Sequence, residues 1–116
     1  MKKILIVEDE KILAEMYQDK FSQEGFKVVV AFSAEEGLEI LKKEKPDLIL
    51  LDILLPKENG ISFLGRIRKD PKTALIPVVA FSNYDDTEAK KEAFALGVKD
   101  YLIKTNYTPQ EIIEKV

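Results

Sequence analysis

Five short apolar segments constrain the fold of this chain more than any other feature of its sequence. They are rich in isoleucine, valine and leucine, do not alternate with polar residues, and cover residues 4–7, 28–31, 48–51, 77–81 and 101–103. Short uninterrupted apolar segments are typical of strands that are buried on both faces of a parallel sheet. We therefore predict five strands of this kind.

Helical patterns with start and stop signals follow each apolar segment. The apolar face of the first helix is predicted to contain Ile12, Leu13, Met16, Tyr17 and Phe21. Gly25 is predicted to end this helix, and Gly97 is a predicted left-handed cap after the fourth. Ser33 and Glu36 form a predicted capping box at the start of the second helix, and residues 108–111 give a similar start signal for the fifth.

The alternation of strand and helix, repeated five times, predicts an α/β fold. Such a chain forms a doubly wound five-stranded parallel sheet between two layers of helices. With 116 residues it is expected to form one domain, residues 1–116. Because sites in such folds lie outside the carboxyl ends of the strands, the residues just after each apolar segment are the candidates for function.

The composition excludes several kinds of chemistry. The sequence contains no cysteine and no histidine, which removes thiolate nucleophiles, Ser-His-Asp triads and the usual zinc sites. With 18 Lys and Arg against 21 Asp and Glu, the net charge is −3, so direct nucleic-acid binding is not expected. Because no apolar segment approaches the length of a membrane span and no secretory leader is recognisable, we expect a cytoplasmic protein that does not bind a membrane.

Charged and hydroxyl side chains follow the predicted strands where site residues are expected. Glu8 and Asp9 follow the first strand, Asp52 the third, Ser82 the fourth and Lys104 the fifth. Three carboxylates close together repel one another, so a proton or a cation must lie among them, and Mg²⁺ prefers such oxygen ligands. A metal ion, a lysine and a hydroxyl around one carboxylate would stabilise a phosphoryl group that the carboxylate attacks. A P-loop nucleotide site is not expected, since no GxxxxGK[ST] motif follows the first strand.

Four stretches of the sequence, specific in combination, carry a resemblance to a known family. They are ILIVEDE, PDLILLDILLPKENG, IPVVAFSN and GVKDYLIK. Through them the chain resembles, over essentially its whole length, the receiver domain of two-component response regulators, of the CheY-like kind. The resemblance implies a flavodoxin-like fold with strand order 2-1-3-4-5, an order that the residues alone do not give. It also implies a phosphorylation-dependent signalling switch that catalyses only its own phosphorylation and dephosphorylation.

The resemblance assigns expected roles to the acidic residues. Asp52 is implied to be the phosphoacceptor. Asp9 and Asp52 are implied to bind Mg²⁺ directly, together with the backbone carbonyl of Leu54. Glu8 is implied to hold the ion through water.

The resemblance also implies switch residues and partners. Ser82 and Lys104 would bind phosphoryl oxygens, while Ser82 and Tyr101 would change position with the phosphorylated state. The donor would be a phosphohistidine on a sensor histidine kinase or a phosphotransfer protein. An output partner would bind the face made by the fourth helix, the fifth strand and the fifth helix, and the protein would be a monomer or a phosphorylation-dependent dimer.

Each candidate residue also has a purely structural interpretation. Glu8 and Asp9 would cap the first helix, since acids favour a helix N-terminus. Asp52 and Ser82 would be plain turn residues, and Lys104 would be a solvated surface lysine. For Tyr101, ordinary packing is weighed evenly against a role in switching.

Two positions depart from the family pattern and keep other functions open. Thr105 stands where a proline in a cis bond usually follows the lysine, and Asn83 stands where a small residue usually follows the hydroxyl. These departures bear on switching and on the dephosphorylation rate, and they leave a pseudo-receiver that binds partners without phosphorylation as an alternative. A phosphohydrolase of the haloacid-dehalogenase type is a second alternative, but Leu54 occupies the position of that family's second aspartate.

Overall fold

Five strands and five helices alternate along the described part of the chain. The computed structural model describes residues 2–55, 58–83 and 86–115, without the side chains of Thr105 and Pro109. The strands are β1 (Lys3–Val7), β2 (Lys27–Ala31), β3 (Leu48–Asp52), β4 (Val78–Ser82) and β5 (Asp100–Ile103). The helices are α1 (Lys11–Gln23), α2 (Ala34–Lys43), α3 (Gly60–Lys69), α4 (Thr87–Ala95) and α5 (Pro109–Lys115), and a short 3-10 helix (Lys104–Asn106) follows β5. None of the helices described is both long enough and apolar enough to span a membrane.

The strands form one parallel sheet in the order β2-β1-β3-β4-β5, which confirms the predicted fold class and strand order. The register aligns the carboxyl ends of neighbouring strands. Val7 pairs with Leu51, Asp52 with Phe81, and Ser82 with Ile103. The predicted site therefore lies along one edge of the sheet.

Two helical layers bury the two faces of the sheet. One apolar cluster joins Ile4, Ile6 and Leu50 to α1 and α5, and the other joins Leu5 and Val7 to α2, α3 and α4. The expectation that every strand is buried on both faces is wrong for β2, whose three valines are only half-buried. The reason is that β2 is an edge strand with a neighbour on one side only.

The helix ends follow the predicted signals. Gly25 and Gly97 have positive φ angles of 92° and 79°, as left-handed caps require. The Ser33 side chain accepts a hydrogen bond from the Glu36 N–H at 3.1 Å. The Glu36 carboxylate accepts from the Phe32 N–H, one residue before the N-cap, at 2.6 Å.

Ile12 is the one wrong prediction for the buried face of α1. Its side chain is 86% exposed, whereas the fully buried positions of α1 are Ala14, Tyr17 and Phe21. Residues two apart on a helix lie about 200° apart around its axis. With Ala14 buried, Ile12 faces solvent.

Arg68 ties the end of α3 to two other segments. Its guanidinium donates hydrogen bonds to the carbonyl oxygens of Leu96 (2.8 Å), Ala74 (3.0 Å), Ile76 (2.7 Å) and Gly97 (3.3 Å). Partial burial lowers the pKa of the guanidinium from its usual value, but an arginine keeps its charge in proteins. One charged side chain thus fixes the loop before β4 and the end of α4.

Candidate functional site

The carboxyl ends of β1, β3 and β5 bring three charged side chains together. Glu8 follows β1, Asp52 ends β3 and Lys104 follows β5. Side chains alternate between the faces of a strand, so Glu8 continues the row that contains Ile6 and Asp52 continues the row that contains Leu50. Both rows belong to the face covered by α1 and α5.

The Lys104 ammonium lies between two buried carboxylates. Its Nζ atom is 2.6 Å from Glu8 Oε1 and 3.4 Å from Asp52 Oδ2. The exposed fractions of the Lys104, Glu8 and Asp52 side chains are 7%, 0% and 5%. A lysine in this position is not a solvated surface residue, because it compensates charge in the interior.

Phe81, which the sequence did not mark as a site residue, completes the surroundings of the ammonium. Lys104 Nζ lies 4.5 Å from the centroid of the Phe81 ring, a cation–π distance. Phe81 in turn packs edge to face on Tyr17, with centroids 5.5 Å apart. Burial, and then the charges of Glu8 and Asp52, raise the pKa of Tyr17 to about 12.

The two carboxylates have raised pKa values because they are buried together. The pKa of Glu8 is raised to about 8: burial is the largest cause, the hydrogen bond from Lys104 opposes it, and the charge of Asp52 adds to the increase. Burial also raises the pKa of Asp52, against the charge of Lys104 and hydrogen bonds from Glu8 and the Leu54 N–H. A cluster of one ammonium and two carboxylates therefore retains a proton more readily than separate acids would.

The acidic residues of the cluster fit a hard divalent cation. Glu8, Asp9 and Asp52 each offer a carboxylate oxygen, and these oxygens lie within 4.8 Å of one another. Asp9 is exposed, in contrast to the two buried acids. Oxygen donors of this kind suit Mg²⁺. The expected contribution of the Leu54 carbonyl stays a prediction, although the Leu54 N–H does donate to Asp52 Oδ1 at 3.1 Å.

Gly60 allows the chain after Asp52 to fold back against β3. Its N–H donates to the Ile53 carbonyl oxygen at 2.8 Å. A Cβ atom at this position would lie 2.6 Å from the Asp52 carbonyl oxygen and 2.6 Å from Ile53 Cα. Only glycine fits here without a shift of the backbone that carries Asp52.

Ser82 and Tyr101 lie on the other face of the sheet. Ser82 is the last residue of β4 rather than the first residue after it, and it is buried. Alternation along β4 and β5 places it with Tyr101, which packs in the apolar cluster with α3 and α4. Asn83 is exposed, and no cis peptide bond occurs in the described part of the chain, so the bond between Lys104 and Thr105 is trans.

A family model described as the response regulator receiver domain matches residues 4–116. The chain belongs to this family. A curated relative of this receiver domain is the alkaline phosphatase synthesis transcriptional regulatory protein PhoP of Bacillus subtilis (strain 168), 34% identical over 99% of this chain and 47% of that protein. The receiver domain spans about half the length of the first curated relatives it matches.

Solved structures of similar chains share its fold. The Mn²⁺-bound form of response regulator Rcp1 is 25% identical with a TM-score of 0.86, covering 98% of this chain and 88% of that one. The phosphorylated cyanobacterial phytochrome response regulator RcpA is 29% identical with a TM-score of 0.86, covering 98% of this chain and 87% of that one. Phosphorylation and Mg²⁺ binding are general properties of this family.

Proposed function

We propose that residues 1–116 form one receiver domain in which Asp52 accepts a phosphoryl group. The observation that carries the proposal is the buried Lys104 ammonium between Glu8 and Asp52. A structural charge pair requires one carboxylate for one lysine, whereas this cluster contains a second buried acid and an exposed third, Asp9. Excess negative charge of this kind is suited to a divalent cation and a phosphoryl group.

In the proposed reaction, an Asp52 carboxylate oxygen attacks the phosphorus of a phosphohistidine on a sensor histidine kinase or phosphotransfer protein. The P–O bond of an acyl phosphate forms, the P–N bond breaks, and the imidazole leaves with the electron pair and takes up a proton. Water later attacks the phosphorus and restores the carboxylate. This chain supplies no histidine, so the donor is a separate protein or a small phosphodonor.

The side chains of the cluster have distinct proposed roles. Asp9, Asp52 and the Leu54 carbonyl would hold Mg²⁺, with Glu8 acting through water, and the bound ion would supply positive charge that offsets the charge of the phosphoryl group. Lys104 exchanges its carboxylate partners for a phosphoryl oxygen. The Mn²⁺-bound form of Rcp1 and the phosphorylated form of RcpA support this assignment by likeness.

The proposed switch uses Ser82 and Tyr101. The hydroxyl of Ser82 binds a phosphoryl oxygen, and the movement of its loop changes the packing of Tyr101. Tyr101 lies on the edge strand β5 and packs in the apolar cluster with α4, while α5 packs on the opposite face with Leu102 of the same strand. This placement supports an output surface made by α4, β5 and α5. Exposed Phe94 on α4 offers an apolar contact there.

The proposal is tested by incubation with acetyl phosphate and Mg²⁺, followed by intact-mass measurement. We expect one phosphate adduct on the wild-type chain and none on Asp52→Asn, which keeps the shape but loses the nucleophile. Asp47→Asn, at the other end of β3, is the matched control and should form the adduct. Absence of an adduct together with absence of Mg²⁺ binding by calorimetric titration would favour the pseudo-receiver. Steady turnover of added phosphate esters would instead show a phosphohydrolase.

A further inference from the structure

Two adjoining cavities form a groove between α2 and α3. They have volumes of about 350 Å³ and about 310 Å³ and share Leu41, Lys42, Lys72 and Thr73 in their walls. We call their joint surface the α2–α3 groove. Because helices in this fold run opposite to the strands, the C-terminal ends of α2 and α3 lie at the amino ends of the strands. The groove is therefore at the opposite end of the sheet from Asp52.

The floor of the α2–α3 groove is apolar. Leu38 and Leu41 of α2 are only half-buried, although they pack on the core. Buried Ile67 and Ile76 extend the floor towards the loop before β4. Leu75, the residue before Ile76 in the chain, has a side chain that is 93% exposed.

The rim of the α2–α3 groove is strongly basic in a chain whose net charge is −3. The cations around it are Lys42, Lys43, Lys45, Lys72 and Arg66. The acids are Glu44 and Asp70, and both are already engaged. Glu44 accepts from the Lys3 ammonium at 2.8 Å, and Asp70 accepts from the Lys72 N–H at 2.9 Å.

Three of the rim lysines are available to a ligand. Within the described ranges of the chain, Lys43, Lys45 and Lys72 have no carboxylate at ion-pair distance. Lys43 lies in the last turn of α2, where its positive charge interacts favourably with the helix dipole. This interaction is a structural explanation for a lysine at that position. Lys45 and Lys72 lie outside the helices, so the dipole does not explain them.

We propose that the α2–α3 groove binds an acidic amphipathic segment of a partner protein. Apolar side chains on one face of the segment would cover Leu38, Leu41 and Leu75, and carboxylates beside them would pair with the rim lysines. A segment with one apolar face and acidic residues beside it matches both the apolar floor and the basic rim of the groove. This contact goes beyond the proposed phosphorylation, since the groove and Asp52 lie at opposite ends of the sheet.

The probe for this proposal is a synthetic helical peptide of about four turns, with leucine and phenylalanine on one face and glutamate elsewhere. The ¹⁵N-labelled receiver domain is titrated with it, and amide chemical shifts are followed. We expect saturable shifts confined to residues 38–45 and 66–76. A peptide with every glutamate replaced by lysine should produce no such shifts.

Charge-reversal variants test the contribution of the rim. The triple variant Lys43→Glu, Lys45→Glu and Lys72→Glu should bind the acidic peptide roughly tenfold more weakly or worse. The matched control reverses the charges of three exposed lysines elsewhere, at Lys11, Lys91 and Lys99. It has the same net charge and should bind within about twofold of wild type. Thermal unfolding of each variant verifies the fold.

A pair of single substitutions tests the apolar margin. Leu75→Ser should weaken peptide binding a few-fold, because it removes an apolar contact without leaving a cavity. Ile12→Ser removes a similarly exposed side chain from α1 and should leave binding unchanged. Asp52→Asn should also bind the peptide like wild type, which separates this proposal from the phosphorylation proposal.

Several results would overturn the proposal. One is equal weakening by both triple variants, which would show attraction to overall charge alone. Another is the absence of saturable shifts, or shifts that map outside the groove. If the receiver domain self-associates and the triple variant Lys43→Glu, Lys45→Glu and Lys72→Glu does not, the groove binds a second copy of the chain. Tighter binding to vesicles of anionic phospholipid than to the peptide would assign it to a membrane.

Discussion

Substitution of Lys104 by methionine isolates the charge balance of the site. The change keeps an unbranched side chain but removes the ammonium that lies 2.6 Å from Glu8 and 3.4 Å from Asp52. At an effective dielectric constant of about 20, these two attractions amount to roughly 6 and roughly 5 kcal/mol when both carboxylates are ionised. Most of this gain offsets the cost of burying the ions, so we expect a net loss of about 3 kcal/mol of unfolding free energy.

The loss caused by Lys104→Met should depend on pH. The pKa of Glu8 is already raised to about 8 in the folded protein and rises further without the ammonium. A raised pKa means that the folded state binds the proton more tightly than the unfolded state. The stabilisation that comes from the proton on Glu8 is therefore complete below the pKa of Glu8 in the unfolded chain. It disappears as pH rises through the pKa of Glu8 in the folded protein. We expect a loss of about 1 kcal/mol near pH 5 and about 3 kcal/mol near pH 9.

Urea unfolding at the two pH values measures this loss, and a double variant controls it. Glu8→Gln combined with Lys104→Met removes one of the uncompensated carboxylates, so it should be more stable than Lys104→Met at high pH by about 2 kcal/mol. Saturating Mg²⁺ should also restore part of the stability of Lys104→Met. A loss that is the same at both pH values, and that neither Glu8→Gln nor Mg²⁺ reduces, would refute the electrostatic reasoning.

Three further predictions follow from particular contacts. Arg68→Met leaves four carbonyl acceptors without their donor and should lower the unfolding free energy by about 3 kcal/mol. Arg68→Lys should lower it by about half as much. Urea unfolding measures both losses, and equal stability of the two variants and wild type would contradict this prediction. Gly60→Ala places a Cβ against the Asp52 and Ile53 backbone and should cost about 2 kcal/mol or more in thermal unfolding. Gly65→Ala, where nothing lies within 4 Å of the new atom, should gain about 0.5–1 kcal/mol, so a similar effect of both glycine substitutions would refute the steric argument. Mg²⁺ binding should release protons near neutral pH because Glu8 has a raised pKa; calorimetry in buffers of different ionisation enthalpy should detect a larger release in wild type than in Glu8→Gln.

The sequence predicted the elements of the fold well but placed some of their ends inaccurately. Each of the five apolar segments contains a strand, as short uninterrupted apolar segments between helical patterns predict. Asp52 and Ser82 were expected after their strands, yet each is the last residue of its strand. Their inclusion depends on pairing with Phe81 and Ile103, and pairing partners belong to distant parts of the chain.

Contacts between residues far apart in the sequence could not be predicted from the pattern of residues. Arg68 bonds to carbonyls 28 and 29 residues away, and nothing in its own helix marks it for that role. Glu8 and Lys104 are 96 residues apart. Their meeting follows from the sheet order, which came from the family resemblance. Alternation along β4 and β5 could have separated Ser82 and Tyr101 from the carboxylate cluster, because it assigns them to the other face of the sheet.

Reductive trapping of the phosphorylated residue is the most direct measurement of the proposed function. After incubation with acetyl phosphate and Mg²⁺, borohydride converts an aspartyl phosphate to homoserine, and peptide sequencing by mass spectrometry locates the converted residue. We predict homoserine at position 52, none at the neighbouring Asp9, and no 5-hydroxynorvaline, the product that a glutamyl phosphate would give, at Glu8. Homoserine at another position, or none despite Mg²⁺ binding, would contradict the assignment of Asp52 as the phosphoacceptor.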